Sequence, residues 1–176
     1  MRKAVFAWVV VLLVALVVAI TGCVQQSAGQ PVNKVLKVET GDQSWKTAWY
    51  YDIEDYITQD ATYTFSIEIY HEEDATVTFQ LTLKTTDEQY KAIILQDVPP
   101  ATWTELVSEP YMIPGKPDDI YIEAKDTPNI TFFFDNFVIK DESGNVVLKT
   151  DFESGETEGW QGNNATITVV SDPAQD

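Results

Sequence analysis

The 176-residue sequence contains one cysteine and one histidine, and these two scarcities exclude several classes of site. The lone cysteine, Cys23, cannot close a disulfide within the chain. The lone histidine, His71, excludes a metal site built from several histidines, and its place in a predicted turn argues against a histidine-based catalytic triad. The sequence also lacks a glycine-rich phosphate loop. We therefore expect no enzymatic activity.

Basic residues are few and acidic residues are abundant. The chain has 11 Lys and Arg against 28 Asp and Glu, a formal net charge of −17. This balance excludes nucleic acid as a partner, because the phosphate backbone would be repelled. It leaves carboxylates free to bind a cation. So many acids also make chance carboxylate pairs common, so a glycosidase-like pair cannot be inferred from their number.

The first 22 residues have the pattern of a lipoprotein signal peptide. Arg2 and Lys3 precede an uncharged apolar run, residues 4–20, and small residues then lead to Cys23. We expect lipidation of Cys23, which would anchor an exported protein to the cell membrane, facing outside the cytoplasm. A transmembrane anchor is the alternative, because the apolar run is almost long enough to span a bilayer. Residues 23–31 are predicted to be a polar tether and residues 32–176 a single domain.

Period-two alternation of apolar and polar residues dominates the rest of the chain and predicts strands. Residues 63–69 and 77–83 alternate regularly, and the charged residues 71–74 between them predict a hairpin. Eight further extended segments are predicted at residues 34–39, 50–53, 90–95, 102–107, 119–124, 131–140, 145–152 and 165–170. Many short strands separated by turns favour an all-β fold, a jelly-roll β-sandwich of two antiparallel sheets.

Alternation also predicts a binding face. Ile120, Ile122 and Ala124 point to one side of their strand, and Tyr121 and Glu123 point to the other. With the isoleucines in the core, Tyr121 and Glu123 would share an exposed sheet face. The tyrosine ring would offer a flat apolar surface to a pyranose, and the carboxylate would accept hydrogen bonds from its hydroxyls. The alternative is a surface tyrosine beside a solvated acid.

A dense aromatic cluster lies in the segment WKTAWYY, which includes Trp45 and Trp49. Exposed aromatic residues at this density mark interaction sites, although two or more of them would be core residues on the alternative interpretation. Gln80 lies on the polar face of a long strand and would be able to hydrogen-bond a ligand. Trp103 and Trp160 are expected to pack in the core or at an edge.

Several short phrases resemble carbohydrate-binding modules of families 4, 9 and 22. The phrases are residues 61–66, 101–106, 120–123 and 133–138, together with Phe152-Glu153, Gly155 and Gly159-Trp160, then residues 35–38 and Ser44-Trp45. In the family the Phe-Glu and Gly-Trp phrases open the module, whereas here residues 151–176 stand at the end. The resemblance therefore implies a circular permutant in which the turn 141–144 joins the usual last strand to the usual first one. The alternative is a truncated tandem array.

The resemblance implies roles for individual residues. Sugar contacts are expected from Trp45 or Trp49, from Tyr90, and from the Tyr-x-Glu phrase that contains Tyr121 and Glu123. A structural calcium ion is expected at Asp135 and Glu153, with backbone carbonyls completing its six to eight oxygen ligands.

The implied function is non-catalytic binding of β-glycan chains, xylan or β-glucan, by a cell-surface lipoprotein. Glycoside hydrolases are expected as partners. The alternatives are a structural or adhesive module that binds a protein, a fragment of a multimodular glycoside hydrolase, and an enzyme with an unrecognised carboxylate pair.

Overall fold

A computed structural model of the chain describes residues 32–175. The predicted signal peptide and the whole predicted tether, including Cys23, lie outside the described residues. Within the described range no helix is long and apolar enough to cross a membrane. The described residues form two short 3-10 helices, Ile53–Asp55 and Pro173–Gln175, and twelve strands. The strands are β1 (Lys34–Glu39), β2 (Ala48–Tyr50), β3 (Thr62–His71), β4 (Val77–Thr85), β5 (Tyr90–Val98), β6 (Thr104–Val107), β7 (Tyr111–Met112), β8 (Pro117–Ala124), β9 (Thr131–Asp141), β10 (Val146–Thr150), β11 (Trp160–Gly162) and β12 (Thr166–Ser171).

The strands form two antiparallel sheets, which confirms the predicted all-β sandwich. Sheet A has seven strands in the order β12-β1-β9-β3-β6, with β10 paired to β9 and β7 paired to β3. Sheet B has five strands in the order β11-β2-β8-β4-β5. The turn 141–144 joins β9 to β10 as an antiparallel hairpin, as the sequence predicts.

Alternate residues of each strand fill the core between the sheets. Phe65, Ile67 and Ile69 of sheet A are fully buried, as are Leu81 and Leu83 of sheet B. Fully burying one such side chain stabilises the fold by about 1.5–3 kcal/mol. Because the in-facing residues are so uniformly apolar, the out-facing residues of sheet B are free to be polar or aromatic.

The predicted hairpin of residues 63–69 and 77–83 is wrong. These residues belong to β3 and β4, which lie in different sheets. The segment between them crosses the sandwich, so β3 pairs with β9 and β4 pairs with β5 and β8. The predicted strand 50–53 is also wrong, because β2 ends at Tyr50 and Asp52 has a φ of 57°, which stops an extended chain.

The C-terminal segment returns to both sheets. β12 pairs with β1 over six residues of each strand, and β11 pairs with β2. Trp160, the first residue of β11, is 1% exposed, and its indole Nε1 donates to Thr150 Oγ1 at 3.1 Å. Its ring contacts Phe134 and Phe137 edge-on, with centroids 4.8 and 5.2 Å apart. The prediction that Trp160 packs in the core is confirmed.

Trp103 packs on the outer face of sheet A and holds the two ends of the described chain together. Its ring lies against Tyr70, with centroids 5.5 Å apart, and its Nε1 donates to Asp172 Oδ1 at 3.0 Å. The Asp172 backbone N–H in turn donates to the carbonyl of Asn33 at 2.9 Å. The two ends of the domain therefore leave the fold side by side.

Replacing Trp160 tests the structural role of the C-terminal segment. We expect Trp160→Ala to lower the free energy of unfolding by about 3–5 kcal/mol, because it empties the centre of the core. Trp45→Ala is the matched control, because this tryptophan is 44% exposed and its loss should change stability by about 0.5 kcal/mol. Urea unfolding followed by circular dichroism measures both, and equal losses for the two variants would contradict a buried, docked tail.

Candidate functional site

The outer face of sheet B carries the residues that the sequence predicts for binding. Ile120 and Ile122 of β8 are fully buried in the core, so Tyr121 and Glu123 point away from it. The register places Trp49 of β2 on one side of Tyr121 and Thr82 of β4 on the other. Gln80 of β4 lies opposite Glu123.

An open cleft lies on this face, with a volume of about 490 Å³. Two of its aromatic rings are exposed, Tyr90 at 52% and Trp45 at 44%, and these stand at its rim. Two others, Trp49 and Tyr121, are nearly buried and form its floor. The fifth lining residue is Asn163, from the C-terminal segment. The cleft has room for a sugar ring and combines aromatic walls with a polar edge.

Tyr121 and Glu123 are less accessible than the sequence suggests. They lie on the predicted face, but only 5% and 7% of their surfaces are exposed. The Trp49 ring stacks on Tyr121, with centroids 4.3 Å apart and planes 7° from parallel. Tyr90 meets Tyr121 edge-on at 6.4 Å. The ring face of Tyr121 toward Trp49 is therefore closed to a sugar.

Trp45 and Trp49 both line the cleft, and one supports the other. The indole Nε1 of Trp49 donates to the backbone carbonyl of Trp45 at 2.8 Å. This bond uses the only polar group of the Trp49 side chain, so Trp49 can offer a ligand only ring surface. The more exposed Trp45 ring is the larger free surface of the two.

A hydrogen-bonded network fixes the carboxylate of Glu123. Gln80 Nε2 donates to Glu123 Oε1 at 3.0 Å and to Thr82 Oγ1 at 2.8 Å. Thr82 Oγ1 also donates to Glu123 Oε1, at 3.3 Å. Among the described residues no hydrogen bond reaches Glu123 Oε2. One carboxylate oxygen is thus held in place, and the other remains free to accept a hydrogen bond.

Burial moves the pKa of the floor tyrosine further above neutral pH. It raises the pKa of Tyr121 to about 12, and the negative charge of Glu123 adds to the effect. At neutral pH the phenol is therefore neutral and able to donate a hydrogen bond.

A charged group lies at one end of the same face. Lys84 Nζ forms ion pairs with Asp118 at 2.6 Å and with Asp119 at 3.0 Å. The hydrogen bond that Lys84 donates to Asp118 is the main cause of the raised pKa of Lys84. Lys84 is therefore fully charged at neutral pH, and its charge is already neutralised by carboxylates.

Two residues of the site were missed from the sequence. Thr82 shares the polar face of its strand with Gln80, so the alternation in β4 was sufficient to find it. Asn163 gave no such signal. Its position follows from the pairing of β11 with β2 and from the bond of its backbone N–H to the Thr47 carbonyl, at 2.9 Å.

The predicted calcium ligands, Asp135 and Glu153, lie on the outer face of sheet A, close to the first residue of β1. Asp135 is nearly buried, and its carboxylate accepts hydrogen bonds from the Asn136 backbone N–H at 2.7 Å and from the Asn33 amide at 3.3 Å. Burial raises the pKa of Asp135 to about 6, and the charges of Glu68 and Glu153 add to the effect. The carboxylate of Glu153 accepts from the Lys34 backbone N–H at 3.0 Å.

This cluster has the charge for a cation but not an assembled ligand set. Across residues 32–175 no group of three or more His, Cys, Asp or Glu side chains is placed to hold a metal ion. Rotation of the Asn33 and Asn136 side-chain amides would turn two carbonyl oxygens toward Asp135. With these oxygens the donors would be the hard ligands that calcium takes.

The chain was also compared with known proteins. The model of the CBM_4_9 family, described as a carbohydrate binding domain, matches residues 22–129. The apo structure of the PbXyn10C CBM has a TM-score of 0.66 at 16% identity, covering 82% of this chain and 92% of that one. A xylan-binding domain from CBM 22 has a TM-score of 0.56 at 25% identity, covering 64% and 76%.

A further similar structure is the C-terminal family 22 carbohydrate binding module of Clostridium thermocellum Xyn10B. Its TM-score is 0.55 at 22% identity, and the match covers 63% of this chain and 74% of that one. None of the curated proteins is a significant match to this chain. The family model confirms the resemblance inferred from the short phrases, and the solved structures share the sandwich fold.

Proposed function

Because the chain belongs to the family of carbohydrate binding domains, we propose that it binds β-glycan chains, xylan or β-glucan, without cleaving them. The observation that carries the proposal is the cleft of about 490 Å³ on the outer face of sheet B, with four aromatic rings in its lining. Aromatic walls and a few placed polar groups are the usual make-up of a small-molecule site. The similar xylan-binding domain from CBM 22 supports xylan as the first ligand to try.

Binding would combine ring stacking with a few hydrogen bonds. The exposed rings of Tyr90 and Trp45 would take the C–H faces of sugar rings. The free Oε2 of Glu123 would accept a hydrogen bond from a hydroxyl group, and the amide of Asn163 can both donate and accept. Each contact is modest, so we expect dissociation constants on the order of micromolar to millimolar.

Loss of a rim tyrosine tests this mechanism. We expect Tyr90→Ala to weaken glycan binding about 3- to 10-fold, the factor that corresponds to one aromatic contact. Tyr56→Ala is the matched control, because Tyr56 is also exposed but lies outside the cleft lining. Affinity electrophoresis in gels that contain xylan, β-glucan or cellulose measures both variants.

The same gels separate the alternatives. If the unaltered protein is not retarded in any of the glycan gels, a protein partner becomes the better explanation. If Tyr56→Ala weakens binding as much as Tyr90→Ala, the cleft is not the binding site. Release of reducing ends from the glycans would indicate a hydrolase instead.

We also propose that the cluster around Asp135 binds a structural calcium ion, with Glu153 as a second ligand. What supports this proposal is the crowding of Asp135, Glu68 and Glu153, which a divalent cation would relieve. The bound ion would tie β9 to the segment between β10 and β11.

The effect of Asp135→Asn on stability should differ between the metal-free and the calcium-bound protein. Without metal, the pKa of Asp135 in the fold, about 6, exceeds its ordinary 3.8. Its neutral form is therefore favoured, and the associated stability is present below pH 3.8 and lost as the pH rises through about 6. In chelator at pH 7 we expect Asp135→Asn to raise the free energy of unfolding by about 1–2 kcal/mol. In excess calcium only the unaltered protein should gain stability. A melting temperature insensitive to calcium would exclude the site.

The order of the strands supports a further proposal, that the domain is a circular permutant. The family match ends at residue 129, and the phrase that opens other members stands at residues 151–162. Strands β11 and β12, which contain or follow this phrase, occupy edge positions in the two sheets.

Rotating the chain back tests the permutation. A chain that starts at Asn145, runs through Gln175 and a short Gly-Ser linker to Asn33, and ends at Glu142 should fold and bind glycan as the unaltered chain does. A short linker is sufficient because the two ends are close together, with Asp172 N 2.9 Å from the Asn33 carbonyl oxygen. A rotated chain that stays unfolded by circular dichroism would contradict the proposal.

Finally, we propose that Cys23 carries lipid and that the domain is displayed outside the cytoplasm, near partner glycoside hydrolases. What supports this is the apolar run and the small residues before Cys23. In a bacterial host, Cys23→Ser should abolish incorporation of labelled palmitate into the protein and release it from the membrane fraction. Unchanged labelling would show that Cys23 is not the lipidated residue.

A further inference from the structure

The charges beside the aromatic cleft are mostly negative. The out-facing residues of β8 place Asp119 two residues before Tyr121 and Glu123 two residues after it, so each begins about 7 Å along the strand from the floor ring. Lys84 forms ion pairs with both Asp118 and Asp119. The three carboxylates of Asp118, Asp119 and Glu123 and the one ammonium group of Lys84 sum to a charge of −2. The acids that flank the cleft are therefore only partly neutralised.

Three lysines near the cleft are paired or distant, and a fourth, Lys91, points to the other face of its sheet. Lys91 follows Tyr90 on β5 but lies opposite the buried Leu83, so its side chain leaves the face that does not carry the cleft. Lys84 binds two carboxylates, and Lys46, which lies over the Trp45 ring, binds Asp42 at 2.5 Å. Lys125, whose backbone N–H pairs with Thr78, lies four residues beyond Tyr121, about 13 Å along the strand and near Asp97. That distance exceeds the Debye length of about 8 Å at physiological ionic strength. Among the described residues, no unpaired ammonium group therefore lines the cleft.

We propose that this cleft selects β-glycan segments without uronate side groups and rejects segments that carry one, with Glu123 as the main discriminating residue. The inference rests on the proposed glycan binding. A neutral hydroxyl would donate a hydrogen bond to the carboxylate of Glu123. A sugar carboxylate held over the Tyr121 ring would lie about 7 Å along the strand from both Glu123 and Asp119, and both would repel it. The expected loss of affinity is about tenfold at low salt.

A matched pair of ligands tests the proposal. The first is a xylo-oligosaccharide with one glucuronic acid side group, and the second is its carboxyl-reduced derivative, which has the same size without the charge. Isothermal titration calorimetry measures both in about 0.01 M and about 1 M salt, where the Debye lengths are about 30 and 3 Å. We expect the reduced ligand to bind about tenfold more tightly at low salt and the difference to nearly vanish at high salt.

Two variants identify the acids responsible. Glu123→Gln should narrow the ratio of the two affinities about threefold. Asp118→Asn should narrow it less, because Asp118 lies three residues from Tyr121 and is paired with Lys84. Each ratio compares the affinities of the charged and the reduced ligand for the same variant. A substitution that weakens both ligands equally therefore leaves the ratio unchanged. Equal affinities for the two ligands at low salt would overturn the selectivity while leaving glycan binding intact. Failure to bind either one would overturn the proposed function and this inference with it.

Discussion

The return of the C-terminal segment is the constraint on which the rest of the structure depends. Trp160 of β11 fills the space between the sheets, and β11 and β12 become edge strands of different sheets. Without that segment, β1 and β2 would each lose a neighbour, and Phe134 and Phe137 would lose the ring that packs against both. The core is therefore completed by residues that are far away in the sequence.

The binding site inherits this dependence. Gln161 of β11 lies opposite Trp49, and the Asn163 backbone is tied to Thr47, so the tail positions one wall of the cleft. The floor depends on the tail because β11 pairs with β2, the strand that carries Trp49. Trp49 in turn stacks on Tyr121, and both rings are nearly buried. Rings that are already packed lose little freedom when a ligand arrives, and this lowers the entropic cost of binding. The exposed rings at the rim then supply most of the new contact.

The sequence was sufficient for the longer strands and for the side of β8 that faces the core, but not for the short strands β2, β7 and β11. Alternation alone separated Ile120 and Ile122 from Tyr121 and Glu123, and the structure agrees. It was not sufficient to assign strands to sheets. The apolar and polar residues of β3 and β4 alternate in the same way whether the two strands pair with each other or lie in different sheets, as they do here. The depth of Tyr121 and the presence of Asn163 in the cleft depend on neighbours from other strands. Such neighbours are set by pairing, which no local pattern encodes.

Within a single strand, the in-facing residues stabilise the core and the out-facing residues form the binding surface. In β8 the isoleucines belong to the core, while the residues between them form the floor and the carboxylate of the cleft. In β9 the in-facing Phe132 and Phe134 pack in the core, and the out-facing Asp135 belongs to the acidic cluster. Because successive side chains point to opposite faces, the outer side chains of each sheet can vary without emptying the core behind them. A sandwich of this kind can change its ligand by substitutions on one face, provided that the tail still closes both sheets.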